Sequence, residues 1–389
     1  VKTLRIGLLW HSAAAGNLGV GALSVGNIAL ARAAAARAGL TPEFTLFGGR
    51  ETGAAYITGP DIGMRVIDGR YMASPGGYLA DVRAHDIMLD IGAGDSFADI
   101  YTDKRFAYIM ATKAIPILAG TPLVLSPQTI GPFSRQPHAG MAAWACRKAK
   151  MVFARDPLSM DVLRKLAPTA NARQVIDVAF ALPFDRPVRP AGDPIRVGLN
   201  VSGLLMSGGY SGGSNDYGLG FDYPAMTRAL ITAFTAMPGV VLSLVPHVNA
   251  PDMPRDDDGA ACDALKREFP QVERTPDFAS PSAAKSTIAG LDFLVGARMH
   301  ATIAAYSAGI PVVPISYSRK FEGLYGGLRY PWVVNAKGMD TKAAVAFVLD
   351  AFERRVQVAA DIARGKPVID AGLEDYTAAL EAQFTAAAR

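Results

Sequence analysis

Short apolar runs recur along this chain. Each is closed by a turn of glycine and polar residues, and most are followed by a stretch with helical spacing. Residues 4–10 predict a strand, 11–21 a loop, and 22 to about 38 an alanine-rich helix stopped by Gly39. Residues 43–47 predict the next strand, with Gly48 and Gly49 behind it. This strand–loop–helix–strand order opens a parallel, doubly wound sheet. Further strands are predicted at 87–91, 123–126 and 151–154, with helices at about 104–119, 137–149 and 157–166.

Pro183, Pro187, Pro190 and Pro194 then interrupt the rhythm and read as a linker. Strands resume at 195–201, 240–245, 291–295 and 312–315, with a short helix at 301–308 closed by Gly309. From about 341 to 388 the chain reads as amphipathic helix, broken near Gly365 and Pro367. The pattern predicts an α/β protein of two doubly wound, Rossmann-like domains, 1–186 and 195–340, with C-terminal helices at 341–389. The two domains are expected to face a cleft lined by their strands' carboxyl ends.

Composition narrows the function classes. A chain of 389 residues is long for one core, which agrees with two domains. Half of it is apolar and 19% is charged, a globular balance. The net charge of +4 suits an anionic small substrate. With no cluster of Lys and Arg interleaved with aromatics, it gives no footprint for nucleic acid. Cys146 and Cys262 are far apart, each in a helix-like segment, with neither disulfide nor metal-ligand spacing. A reducing cytosol is the expected compartment, and no metal is expected. Residues 4–10 run straight into a turn and read as a strand, not a signal peptide. No run approaches the roughly 20 apolar residues that span a bilayer, although a peripheral membrane association is compatible with the sequence.

The candidate chemistry gathers at strand ends. Gly296-Ala-Arg298-Met299-His300 follows one apolar strand and precedes a helix, where backbone N–H groups favour anions. Tyr317, Arg319 and Lys320 follow the next strand, so cations converge on one edge of the second half. The loop Gly16-Asn17-Leu-Gly19-Val-Gly-Ala22 either lets a ligand approach the backbone or is a plain tight turn. Its G-x-x-G-x-G order fits neither a dinucleotide fingerprint nor a P-loop. In Asp90-Ile-Gly92-Ala-Gly94-Asp95-Ser96, Asp95 is a candidate base for a sugar hydroxyl, with an N-cap as the rival role. Gln128 closes another strand and could bond a ligand or simply belong to a direction-setting turn. Arg155 and Asp156 read as a weak surface pair or as ligand contacts. His247 reads as structural or as a ligand contact, Asp256-Asp257-Asp258 as a solvated acidic loop or a helix start, and the Gly/Ser-rich loop 206–215 as too flexible to be rigid, able to fold over the cleft.

Taken in order, these elements resemble the polysaccharide pyruvyl transferase family. The residues that carry the resemblance are Gly16–Gly19, Asp90–Ser96, Gln128-Thr-Ile-Gly-Pro-Phe133, Ala154-Arg-Asp156 with Ser159, Arg298-Met-His300, Ile310-Pro311 and Tyr317-Ser-Arg-Lys320. They span nearly the whole chain. Two positions depart from the family pattern: Val20 stands where an aspartate is common, and Ala93 replaces the middle glycine of a triple-glycine turn.

The resemblance implies a GT-B-like fold, with acceptor binding in the first domain and donor binding in the second. It implies phosphoenolpyruvate as donor substrate, no separate cofactor, and a sugar or lipid-linked oligosaccharide acceptor in exopolysaccharide biosynthesis. The product would be a pyruvate ketal bridging two hydroxyls. On that reading Arg298 and Arg155 hold the phosphate and carboxylate, His300 is the acid and Asp95 the base. Lys320 and N–H groups near 301–302 would receive the departing phosphate. Gly16, Asn17, Gly19, Gly92, Gly94, Ser96, Gln128, His247, Met299 and Tyr317 would line the substrates. The alternatives are a GT-B glycosyltransferase using a nucleotide-sugar, and a non-catalytic carbohydrate-binding scaffold.

Overall fold

The computed structural model describes residues 2–190, 192–211, 213 and 215–389. Ala191 of the proline-rich linker and Gly212 and Ser214 of the Gly/Ser loop lie outside the described residues. The chain forms two compact units. Unit 1 holds the chain up to Ala15, Leu23–Ala181 and Val368–Arg389; unit 2 holds Gly16–Ala22 and Leu182–Pro367. This differs from a division at the proline linker with a separate C-terminal helical segment. The reason lies in the last helix, Arg355–Ala387, which runs on through Pro367 instead of breaking there. Its stripe of Val358, Ile362, Ile369, Tyr376, Leu380 and Phe384 stays buried on both sides of the proline. That burial outweighs the one backbone hydrogen bond that proline removes.

Unit 1 is built on seven parallel strands: β1 (Lys2–Leu9), β2 (Leu40–Gly48), β3 (Ile62–Val66), β4 (Ile87–Asp90), β5 (Leu123–Gln128), β6 (Met151–Ala154) and β7 (Ala172–Gln174). Their order is β3-β2-β1-β4-β5-β6-β7. The inner strands β4, β5 and β6 are buried at every position, which is why each begins as an apolar run without alternation, with polar residues only toward the carboxyl ends of β4 and β5. β3 and β7 escaped the sequence pattern because they are short, partly exposed edges. The helix Pro157–Leu166 has the predicted bounds: Asp156 caps it by accepting from the Ser159 N–H, and Pro157 opens it.

Unit 2 carries six parallel strands: β8 (Ile195–Asn200), β9 (Val240–Leu244), β10 (Glu273–Arg274), β11 (Phe293–Gly296), β12 (Val312–Ser316) and β13 (Val334–Asn335). The order β10-β9-β8-β11-β12-β13 is the 3-2-1-4-5-6 winding of a nucleotide-binding fold. Its topological switch lies between β8 and β11, where Val197–Asn200 pair with Phe293–Gly296.

The helix Leu18–Arg37 is, among the described residues, long and apolar enough to cross a membrane by length and composition alone. The expectation that no segment has this character misjudged a helix made apolar by many small alanines. In the fold, 67% of its most apolar window is buried.

A buried polar network ties the last helix into unit 1. The Tyr376 hydroxyl donates to Asn27 Oδ1 (2.8 Å) and lies 2.9 Å from Ser126 Oγ. Asn27 Nδ2 donates to His11 Nε2 at 2.8 Å, while His11 Nδ1 donates to the Leu9 carbonyl at 3.0 Å. Those partners fix a neutral imidazole, and burial drives the His11 pKa down to about 3. Tyr376→Phe strands Asn27 Oδ1 without the tyrosine's proton, so we expect it to lower stability by about 1–3 kcal/mol, read as a shift in the urea midpoint.

Candidate functional site

In unit 2 the predicted residues meet at the carboxyl edge of the sheet. Arg298 is the N-cap residue of the helix Met299–Ser307 that follows β11. Its backbone N–H donates to Asn200 Oδ1 at 2.8 Å, and Asn200 Nδ2 donates to the Val245 carbonyl at 2.8 Å. One side chain at the end of β8 thus fastens the ends of β9 and β11. The Arg298 guanidinium is committed elsewhere: Nη2 lies 2.6 Å from both Asp256 Oδ1 and Asp258 Oδ1, and Nε bonds both oxygens of Asp258. Burial disfavours the guanidinium charge, but the Asp258 and Asp256 carboxylates outweigh it and hold its pKa above the usual arginine value.

The acidic run is therefore the helix start of its two readings and not the solvated loop: Asp257 caps the helix Asp258–Glu268 by accepting from the Ala260 N–H. Asp258 is fully buried and Asp256 nearly so. Asp258 also accepts from the backbone N–H groups of Gly203 (2.8 Å), His247 (3.1 Å) and Val248 (3.0 Å). Burial pushes its carboxyl pKa up, yet every partner is a donor, so the site holds the ionised form. Arg298 is matched in charge here, unlike the ligand-facing cation expected from the sequence.

His300 lies against the first glycine turn. A Cβ at Gly19 would sit 2.4 Å from His300 Nδ1, and one at Gly16 would sit 2.0 Å from the Asn249 carbonyl oxygen. Asn249 N–H donates to the Gly16 carbonyl (2.9 Å), Leu18 N–H to the His247 carbonyl (3.2 Å), and Asn17 pairs with Val248. Glycine is needed at 16 and 19 so that backbone and imidazole can approach this closely. His247 is buried, and burial followed by the nearby charges of His300 and Arg298 lowers its pKa to about 3. Met299 is buried, whereas Tyr317 and Lys320 are half-buried. The Tyr317 ring meets Tyr217 edge-on at 5.0 Å and Phe321 at 5.5 Å. Of the N–H groups expected near 301–302, that of Thr302 is spent on the Arg298 carbonyl.

In unit 1 the turn Gly92–Gly94 winds left-handed, with φ of +53° at Gly92, +47° at Ala93 and +88° at Gly94. A non-glycine residue at that φ is strained by roughly 1–2 kcal/mol, so Ala93 is where the departure from triple glycine is felt. Beneath the turn lies a pair the sequence reading missed. Asp90 Oδ1 accepts the Gly92 N–H (2.8 Å), and Oδ2 meets the fully buried Lys113 ammonium at 2.8 Å. That ammonium also sits 4.6 Å from the centre of the Phe97 ring. Only the spacing from Asp90 to a lysine inside an apolar helix could have signalled it.

Gln128 is buried and donates to the Asp90 (2.7 Å) and Ser126 (3.1 Å) carbonyls, so it braces the turn. Ser96 is buried and accepts from Arg105 Nη2 at 2.5 Å. Asp95 is half-buried and is not an N-cap; Thr102 caps the next helix, Asp103–Ala119. Arg155 is not a surface residue either. It pairs at 2.8 Å with Asp177, a carboxylate the sequence reading did not single out, while Asp156 caps its helix. The predicted residues thus fall into two clusters, one at the carboxyl edge of each unit's sheet. Among the described residues, no group of three His, Cys, Asp or Glu could hold a metal ion.

Two parallel doubly wound sheets with polar clusters at their strand ends define a GT-B-like protein. The chain is similar to a candidate UDP-N-acetylglucosamine 2-epimerase from Listeria monocytogenes (TM-score 0.58, 11% identity, 93% of this chain and 91% of that one). It is also similar to a UDP-GlcNAc 2-epimerase from Neisseria meningitidis bound to UDP-GlcNAc (TM-score 0.53, 8% identity, 92% and 94%). A third similar structure is an alpha,alpha-trehalose-phosphate synthase (UDP-forming) from Burkholderia vietnamiensis (TM-score 0.52, 10% identity, 100% and 98%). No curated protein matches the chain by sequence. The chain belongs to the polysaccharide pyruvyl transferase family, whose model matches residues 41–319. That span includes Asp95, Arg155, Arg298 and His300.

Two outcomes follow from the geometry. In Gly19→Ala the new methyl must push the His300 ring, a movable side chain, away from the turn. We expect displaced His300 imidazole resonances with a melting temperature close to that of the parent; unmoved resonances would mean the ring does not press on this turn. The second concerns pH. In the fold the His247 pKa is lowered to about 3 from the ordinary histidine value of 6.5, so between these the unfolded chain binds more protons and stability falls as pH falls. This one residue contributes on the order of 5 kcal/mol over that window, and the stability–pH slope should flatten in His247→Gln.

Proposed function

We propose that the protein moves a pyruvyl group from phosphoenolpyruvate onto two hydroxyls of one sugar in a polysaccharide or its precursor, leaving a pyruvate ketal and inorganic phosphate. The observation that carries this reading is family membership across residues 41–319. His300 gives a proton to the enol methylene, which becomes the methyl group, and C2 becomes an oxocarbenium-like centre. One sugar hydroxyl adds to C2 and its proton passes to Asp95. The bond from C2 to the phosphate oxygen breaks, and the second hydroxyl adds in its place. Of the two hydroxyl protons, one replaces that given by His300 and the other leaves with phosphate.

Arg298, already matched by Asp256 and Asp258, serves in this reading to fix the turn that carries His300. Lys320, at the start of the helix Arg319–Gly327, offers charge to the departing phosphate. The reading assigns the reaction to the cytoplasm, with a sugar or lipid-linked oligosaccharide as acceptor. A second reading, transfer from a nucleotide-sugar, draws support from a structural neighbour bound to UDP-GlcNAc.

Incubation with phosphoenolpyruvate and a panel of neutral glycosides separates the two. The expected result is phosphate release together with a new ketal methyl signal in the proton spectrum. His300→Gln should slow it by roughly 10²–10⁴-fold. Release of UDP from a UDP-sugar, with phosphoenolpyruvate inert, would transfer the protein to the second reading.

A further inference from the structure

Unit 2 contains a cavity of about 600 Å³ that the site described above does not use. The end of the short helix Gly203–Met206, loop residues at 207–208 and 215–222, and the first residues of the helices Tyr223–Thr235 and Thr341–Glu353 form its walls. Its size falls within the range of small-ligand pockets.

Hydrogen bonds hold the described residues on either side of the Gly/Ser-rich stretch. Asn215 bonds both backbone groups of Leu219 at 2.8 Å, Asp216 Oδ2 accepts the Ser211 N–H at 2.7 Å, and Gly220 N–H donates to the Ala336 carbonyl at 2.7 Å. The loop is also tied to the Arg298 cluster, since the Tyr210 hydroxyl donates to Asp256 Oδ2 at 3.0 Å. Tyr217 reaches the same neighbourhood through its edge-on contact with Tyr317.

The lining chemistry selects the ligand. Among the described residues, no lysine, arginine or histidine lines the cavity. Two carboxylates do, Asp222 and Asp340, and both are exposed. Each uses Oδ1 to cap a helix, accepting from Ala225 N–H and Ala343 N–H respectively. The positive helix ends are thereby already neutralised, and a phosphate or carboxylate would meet two like charges. Two carboxylates beside the half-buried ring of Tyr217 and the apolar side chains of Leu205 and Leu219 instead suit a neutral ring bearing hydroxyls.

We propose that this cavity is a carbohydrate subsite of unit 2, holding a neutral sugar ring on Tyr217 with its hydroxyls donating to Asp222 and Asp340. As the acceptor's subsite it deepens the pyruvyl transfer reading and rests on it for the sugar's role. The binding stands without that reading. It also differs from the expectation that acceptor recognition is confined to the first domain.

The test is a saturation-transfer titration of the full chain with methyl hexopyranosides of gluco, galacto and manno configuration. We expect saturable binding by at least one of them. Tyr217→Ala should weaken it about tenfold or more, and Tyr217→Phe should keep it. Asp222→Asn and Asp340→Asn retain good N-caps, so they should fold while weakening binding by a similar factor. No binding up to roughly 50 mM overturns the proposal, as does binding that is equal in all four variants. Phosphate release measured alongside keeps the two ideas apart. Sugar binding that depends on these residues with no turnover upholds the subsite and removes the reaction. Turnover with an acceptor KM unchanged by the variants removes the subsite and leaves the reaction.

Discussion

One carboxylate organises the carboxyl edge of unit 2. Asp258 accepts hydrogen bonds from Gly203, which follows β8, from His247 and Val248, which follow β9, and from Arg298, which follows β11. These are three adjacent strands of the sheet, and the topological switch lies among them. A doubly wound sheet opens a crevice at that point. Here a buried ion pair occupies it and draws the strand ends together, with Asn200 completing the tie. Removing one member of such a pair leaves a buried charge unmatched, typically at about 3–5 kcal/mol. The placement of His300 therefore depends on electrostatics at Asp258 as much as on the helix that carries it.

Unit 1 repeats the device with different residues. Lys113 beneath Asp90 and Asp177 beside Arg155 are fully buried, and each is paired at 2.8 Å. Both pairs underlie strand ends, one below the left-handed turn Gly92–Gly94 and the other after β6. Arg155 and Arg298 are thus positional charges, each matched by carboxylates of the protein itself.

The fold was largely legible because parallel strands buried on both faces are mostly apolar, as β6 and β11 are, and as β4 and β5 are up to the polar residues at their carboxyl ends. Edge strands such as β3 and β10 are exposed or very short, so they left no such mark. The site was legible as positions and not as partners. Glycines 16 and 19 stood out by spacing, but what presses on them, Asn249 and His300, is distant in sequence. The same holds for Asp177, and for Asp256 and Asp258, whose run of three acids looks solvated in one dimension. Long-range charge pairing leaves no periodic trace, and a proline within a helix reads as a break unless the buried stripe on both sides is weighed.

The return of the last helix to unit 1 bears on how the chain is made. Unit 1 takes its final segment only from Val368 onward, after Leu182–Pro367 of unit 2 has been synthesised. At ribosomal rates of roughly 5–20 residues per second, Ser126 waits on the order of 12–50 seconds, and Asn27 roughly 17–70 seconds, for the Tyr376 hydroxyl. During that interval the half that emerges first has an open polar seam, while the half that emerges second has all of its own strands. The later-born unit can therefore be complete before the earlier one, and a nascent chain halted before Val368 would expose the surface that the last helix is meant to cover.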